Sequence, residues 1–436
     1  MPSHTYSIKL IYIWCEFILA GAISLRSSSR VLSIILKDYY GELATIPSWY
    51  TGRLWLIRLG YYKLNREKEK ADDWIWIIDH SVQIGSTKCF VILGIRLSNL
   101  PDNRSLKYDD VEPIELLPVE KSNGEIVYEQ LEATTEKTGI PRAIVGDYGS
   151  DIKKGIEIFC EYHNETDYIY DVKHKMASLL KKYLNNNDRW KEFVKLANKT
   201  KKRVQQTSLA ALAPPQQRSK ARYMNTEFLL DWGKNMLRFL SQNDIEVNKQ
   251  EYNNKDIKRK MSWVMDFGDD IQYWNTLLDM ATITENVIRK KRISDDTGLK
   301  LEKNLNDNLP AQKLTNSLAQ QFKNDIIEFA NAESKKAKPG EHLLGSSEII
   351  ESVFGKQKFI EKEQSKSGFT SLLLTLGAIV SETNTVVIKK ALESTPVKKI
   401  KVWYKENIQK SVQSKRMETF SVTNNAEQKW NQLLAT

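Results

Sequence analysis

The chain has 436 residues, of which 41% are hydrophobic and 28% charged. That length allows two to four structural units with a sizeable core, and the balance is an ordinary soluble one. The net charge of +10 favours polyanions such as nucleic acid, and three scattered cysteines (Cys15, Cys89, Cys160) with no CxxC pair exclude a disulfide framework and a structural zinc site and point to a reducing compartment.

The first 66 residues read as helical. Leu10 to Ile23 is almost wholly apolar, but it is short for a span of about 20 residues, and Glu16 interrupts it. No cleavage site follows, so Ser7 to Ala20 is expected as a buried helix and no membrane as a partner. Gly21 breaks it, and Ser24 can cap a second helix to about Tyr39. After a turn-rich link from Gly41 to Pro47, Ser48 can cap a third, Trp49 to Leu64. Trp55, Leu56, Leu59 and Tyr62 fall on it at helical spacing, with Arg53 and Arg58 elsewhere on its circumference. Three short helices with a basic last one resemble a helix-turn-helix unit, which makes Arg53 and Arg58 candidate DNA contacts. The alternative is a helical cap on the domain that follows.

Residues 67–72 form a charged linker, after which the periodicity changes. Asp73 to Asp79 and Lys88 to Arg96 read as strands, with a hairpin signal at Gly85-Ser86. Pro113 to Pro118 is a third strand. Ser122-Asn123-Gly124-Glu125 has the spacing of a capping box and opens a helix to about Thr138. Arg142 to Gly146 is a fourth strand, Asp151 to Tyr162 a helix, and Asp167 to Val172 a fifth strand ending near Asp171 and His174. The order β-β-β-α-β-α-β gives an α/β fold, a mixed five-stranded sheet with helices on its faces.

From Met176 to about Gly340 the pattern is helical throughout. Residues 173–222 hold 14 Lys or Arg, Lys173 and Lys175 among them, against Asp188 and Glu192, a local net of +12. A solvated face accounts for part of such a run, but contact with a duplex phosphate backbone accounts for its size. Trp190 and Trp263 read as core, with base stacking as the alternative. Ser346 to about Gln364 is a further helix carrying Glu348, Glu351 and Lys358, and a Lys-rich helical tail covers 366–436.

Two apolar runs end in acids, Asp79 and Asp147, and Glu351 lies on a helical pattern. A carboxylate at the end of a buried strand is costly unless a cation meets it. Two strand-end acids and one helical acid suggest a cage for a pair of divalent ions, the arrangement that two-metal phosphodiester chemistry uses. Each strand-end Asp taken alone is equally a turn cap. Glu348 is the rival of Glu351, three residues earlier on the same helix. Asp151 competes with Asp147 but suits the start of the next helix. Asp171 and His174 border the site or form a structural pair. There is no HExxH, P-loop or GxSxG motif.

These residues are similar to those of the bacterial insertion-sequence transposases of the DDE class, which have a ribonuclease-H-like catalytic core. The matching pieces are Ile77-Ile78-Asp79 with the hairpin to Gly94, Val145-Gly146-Asp147-Tyr148-Gly149-Ser150-Asp151, Tyr170 to Lys175, and Glu348 to Lys358. The resemblance implies catalytic and metal-binding roles for Asp79, Asp147 and Glu351, two Mg²⁺ or Mn²⁺ ions, cleavage of double-stranded DNA at transposon ends, and strand transfer into target DNA. It further implies a homodimer or higher assembly on DNA, a bacterial cytoplasm near the nucleoid, and phosphate contact by Lys358, seven residues beyond Glu351. It divides the chain into a helical DNA-binding domain (1–66), a core (73–175), a large all-helical insertion (176–340), the catalytic helix (341–365) and a tail (366–436). One large subgroup has Tyr and Arg seven and four residues before the Glu, where this chain has Leu344 and Ser347, and its insertion is β-rich. A non-catalytic DNA-binding descendant and a nuclease without strand transfer are the alternatives.

Overall fold

The computed structural model describes residues 5–41, 45–84, 87–216, 225–241, 254–309, 316–362, 370–408, 416–417 and 419–420. Three helices open the chain: α1 (Ile8–Leu19), α2 (Leu25–Tyr40) and α3 (Trp49–Asn65). Each starts at the serine expected to cap it. Ser7, Ser24 and Ser48 accept from the N–H groups of Leu10, Ser27 and Thr51, satisfying donors that the first helical turn leaves unpaired.

Next come β1 (Trp74–Ile84), β2 (Thr87–Arg96), β3 (Glu112–Val119), α4 (Gly124–Thr138), β4 (Ala143–Gly146), α5 (Ser150–Tyr162) and β5 (Asp167–Tyr170). The sheet order is β3-β2-β1-β4-β5. β1 pairs antiparallel with β2, β2 antiparallel with β3, and β1 parallel with β4. This is a ribonuclease-H-like mixed sheet. The Gly85-Ser86 turn lies outside the described residues. The cap of α4 sits one residue later than the sequence suggested. Asn123, not Ser122, accepts from Ile126 N–H at 2.8 Å, which leaves Ser122 for another contact described below.

Strand alternation sorts the side chains. Trp74, Trp76 and Ile78 of β1 pack with Phe90, Ile92, Ile144 and, from α4 and α5, Val127, Leu131, Ile152, Ile156 and Phe159. That face is therefore roofed by α4 and α5. Ile75 and Ile77 are equally buried but point the other way.

After β5 the described residues form α6 (Val172–Asn185), α7 (Asp188–Val204), α8 (Thr226–Ser241), α9 (Asn254–Met261), α10 (Gly268–Lys291), α11 (Thr297–Asn308) and α12 (Ser317–Ser334). Then follow α13 (Glu348–Glu361), α14 (Thr375–Ile379), α15 (Thr385–Ser394) and α16 (Val397–Asn407). β5 is shorter than expected. Asp171 is instead the N-cap of α6, its carboxylate accepting from His174 N–H at 2.7 Å.

The chain divides into two compact units, one of residues 1–169 with 347–436 and one of residues 170–346. In the first, α3 packs against α2, α14 and α15. α3 and α14 touch backbone to backbone: a Cβ on Gly60 would stand 1.9 Å from the Leu374 carbonyl, and one on Gly377 2.6 Å from that of Gly60. The second unit is built around rings. Trp190 and Trp274 meet edge to face at 4.9 Å, and Phe193, Trp232, Trp263 and Phe267 complete the cluster. Trp263 donates to Thr200 Oγ1 at 2.9 Å. Trp190 is thus a core residue, and Trp263 is half-buried at the edge of the cluster. The two ends of this unit are joined, Val172 N–H donating to the Gly345 carbonyl at 3.0 Å.

Candidate active site

The parallel pairing of β1 and β4 sets the geometry. The register runs Ile75 with Ala143, Trp76 with Ile144 and Ile77 with Val145. Asp79 and Asp147 each follow the last pair by two residues, so they stand at matching positions on neighbouring strands. Such strands lie about 4.8 Å apart. By alternation Asp79 shares the face of Ile75 and Ile77, away from α4 and α5, while Asp147 lies one residue past the end of β4. α13 packs against β1 and contributes nothing to the cluster beneath α4 and α5. It therefore lies on the face of Asp79, and it carries Glu348 and Glu351 in its first turn.

All four acids are half-buried. Asp79 accepts from His80 N–H at 2.7 Å and Asp147 from Gly149 N–H at 3.0 Å. Tyr168 on β5 donates its hydroxyl to the Asp147 carbonyl. Among the described residues, no group of three or more His, Cys, Asp or Glu side chains is gathered closely enough to hold a metal ion. The donor chemistry suits Mg²⁺ or Mn²⁺, hard cations that take carboxylate oxygens. The described positions place two acids at the ends of neighbouring strands, with the helix of the third packed against β1, short of a closed ligand set.

On the opposite face of the same strand end lies a second polar group. Asp151, in the first turn of α5, receives Lys88 Nζ at 3.2 Å. His80 Nδ1 is 3.8 Å from the same carboxylate, and His80 Nε2 is 3.1 Å from Ser122 Oγ. Burial raises the Asp151 pKa, but hydrogen bonds from Ser122 and Lys88 and the charges of His80 and Lys88 hold it below the usual carboxylate range. Burial lowers that of His80, Lys88 adds to this, and Asp151 and Asp147 pull the other way. Asp151 is engaged by this cluster. His80, Lys88 and Ser122 join this end of the sheet without a sequence motif to mark them. The signal for them was positional, since His80 follows Asp79 and alternation alone sends it to the other face.

The candidate DNA contacts divide. Lys358 is exposed on α13. Arg58 donates to the carbonyls of Thr395, at 2.6 Å, and Leu392, and Arg53 to Ser371 Oγ at 3.3 Å. Their helix is buried around most of its circumference, so its guanidinium groups meet neighbouring protein rather than standing out as a sequence-only reading expects. In the other unit, Lys173 and Lys175 are half-buried, and Lys175 Nζ stands 5.5 Å from the Phe329 ring centroid. His174 Nδ1 is 3.1 Å from Asp171 Oδ1, a local pair at the start of α6. On α7, Trp190, Phe193, Ala197, Thr200 and Val204 are buried, while Lys195, Lys199, Lys202 and Arg203 are exposed on the opposite side.

No described helix is long and apolar enough to cross a membrane. No protein-family model matches the chain, and no curated protein matches it in sequence. Among solved structures it is similar to the Drosophila P element transposase strand transfer complex, at 13% identity and a TM-score of 0.41, over 90% of this chain and 94% of that one.

Proposed function

We propose that the chain is a DNA transposase of the DDE class that cleaves double-stranded DNA at element ends and joins 3′-OH ends to target DNA. The observation that supports this reading is the position of Asp79 and Asp147 at the ends of parallel β1 and β4, with α13, the helix of Glu351, packed against β1. Asp79, Asp147 and Glu351 would hold two divalent ions. When bound, such a pair activates a water or 3′-OH and steadies the leaving oxygen of a phosphodiester. Glu348 is the alternative third acid. The exposed lysines of α7 and Lys358 would hold phosphates, and the N-terminal helices would serve mainly as a support for the sheet unit. Two ends must be held together, so a homodimer or higher assembly on DNA is part of the proposal, as is a bacterial, nucleoid-associated setting.

The test is cleavage and strand transfer in Mg²⁺ or Mn²⁺, on duplexes taken from the DNA flanking the coding sequence. Asp79→Ala, Asp147→Ala and Glu351→Ala should each abolish cutting while leaving duplex binding within about twofold, the size of an ordinary surface effect. Wild-type rates in all three would sink the proposal. Glu348→Ala decides between the two helical acids. Cutting without joining of pre-cleaved ends would mark a nuclease instead.

A second reading has its own support. The acids form no gathered ligand group among the described residues, and Asp79 and Asp147 accept from nearby backbone N–H groups as turn caps do. A non-catalytic DNA-binding protein would bind the same duplexes and cut none of them in either metal.

A further inference from the structure

Tyr148 follows Asp147 directly and is 41% exposed. A single exposed aromatic is ordinary on a protein surface. This one is backed on one side and faced by a cation. Its ring rests on that of Tyr168, with centroids 5.1 Å apart and planes at 41°. Tyr168 is anchored in turn, its hydroxyl donating to the Asp147 carbonyl and its ring packing at the margin of the sheet core. Lys153, one turn into α5, holds its Nζ 4.9 Å from the Tyr148 ring centroid. Its other charged neighbour is Glu157 at 3.6 Å, and both of those side chains are largely in water, where such a pair holds weakly.

We infer that Tyr148, supported by Tyr168, is a stacking platform for an unpaired DNA base beside Asp147, with Lys153 taking the adjoining phosphate. This deepens the transposase reading and rests on it. A π-face beside an ammonium matches the two parts of a nucleotide, base and phosphate. A paired base in a duplex keeps its faces stacked on its neighbours, so the ligand is a strand that is single or melted at this point.

The experiment compares binding of the full chain to one duplex with a short oligothymidine 3′ overhang and to the same duplex with an abasic overhang. Wild type should favour the base-bearing overhang by about tenfold, the scale of one base stacked on an aromatic ring. Tyr148→Ala should erase the preference, and Tyr148→Phe should keep it. Equal binding of both duplexes by wild type, or a preference that survives in Tyr148→Ala, overturns the inference and leaves the transposase reading standing. Failure to bind either duplex overturns both. A preference lost in Tyr148→Ala, in a protein that cuts no DNA, supports the platform and counts against the enzyme.

Discussion

Lys63 shows how one residue can hold distant parts of the chain together. Its ammonium is fully buried and donates to the carbonyls of Val380 and Ser381 and to Thr383 Oγ1, at 2.8, 2.7 and 2.7 Å. Nearby, Arg66 and Lys68 reach Glu112, and Arg66 reaches Ser381. Burial pushes the Lys63 pKa down to about 7, Arg66 adds to this, and Glu112, Asp109 and Cys15 pull it up. An unfolded lysine titrates near ~10.4. Between the two values the unfolded chain holds a proton that the folded one lacks, so stability rises with pH across that window and falls as pH drops through the lower value. Burial also pushes the neighbouring Lys68 down to about 8, so urea unfolding at a series of pH values should show a rise to which Lys63 adds at most about 1.4 kcal/mol per pH unit, and Lys63→Met should make it shallower by that share. A wild-type profile as flat as the variant's would mean that the folded state keeps the proton. Nothing in the sequence marked Lys63, because a lysine near the end of a basic helix reads as a surface residue until its partners, more than 300 positions away, are known.

At the scale of elements, capping and alternation were legible and long-range contact was not. Ser7, Ser24 and Ser48 each announced a helix, since an N-cap is a local bargain between one side chain and one turn. Strand-end acids were likewise visible as breaks in apolar runs. The shift of the α4 cap from Ser122 to Asn123 and the loss of Asp171 from β5 to α6 are local competitions between neighbouring polar residues, which spacing alone does not decide. The protein contacts of the α3 arginines were not legible for a different reason: the packing of that helix against α14 and α15 depends on segments far along the chain. The glycine contact gives a direct test. Gly60→Ala drives a methyl group into backbone and should cost about 3 kcal/mol or more. Gly355→Ala, on α13 with nothing within 4 Å of the new Cβ, should instead gain up to about 1 kcal/mol. Denaturant midpoints of the two variants against wild type would show it, and equal shifts would contradict the close approach.

For the whole molecule, charge is the quantity that sequence reported best, because it needs no contact to be counted. The excess over 173–222 appears on α7 as an exposed face opposite a tryptophan-rich interior. If that face meets duplex phosphates, replacing Lys195, Lys199 and Lys202 with Gln should weaken binding to all sequences alike. The dependence of log affinity on log salt should become shallower by about 0.9 for each phosphate contact removed. An unchanged slope would assign these lysines to solubility alone. The helical block itself was legible from periodicity, but its compactness as a separate unit was not, since the rings that build it come from four separate stretches of the chain.

The hydrogen bond between Val172 and Gly345 has a consequence for how such a chain can change over time. A long excursion whose two ends meet resembles a drawer fitted to a single opening. Its contents can grow, shrink or be replaced while the opening keeps its size, and the entropy of closing it rises only with the logarithm of its length. The strand before it and the helix after it keep their positions in the chain's order whatever the excursion holds. Variation in that segment is thus uncoupled from the acids of the sheet, which under the proposed function would leave room for different DNA partners to be tried against an unaltered reaction centre.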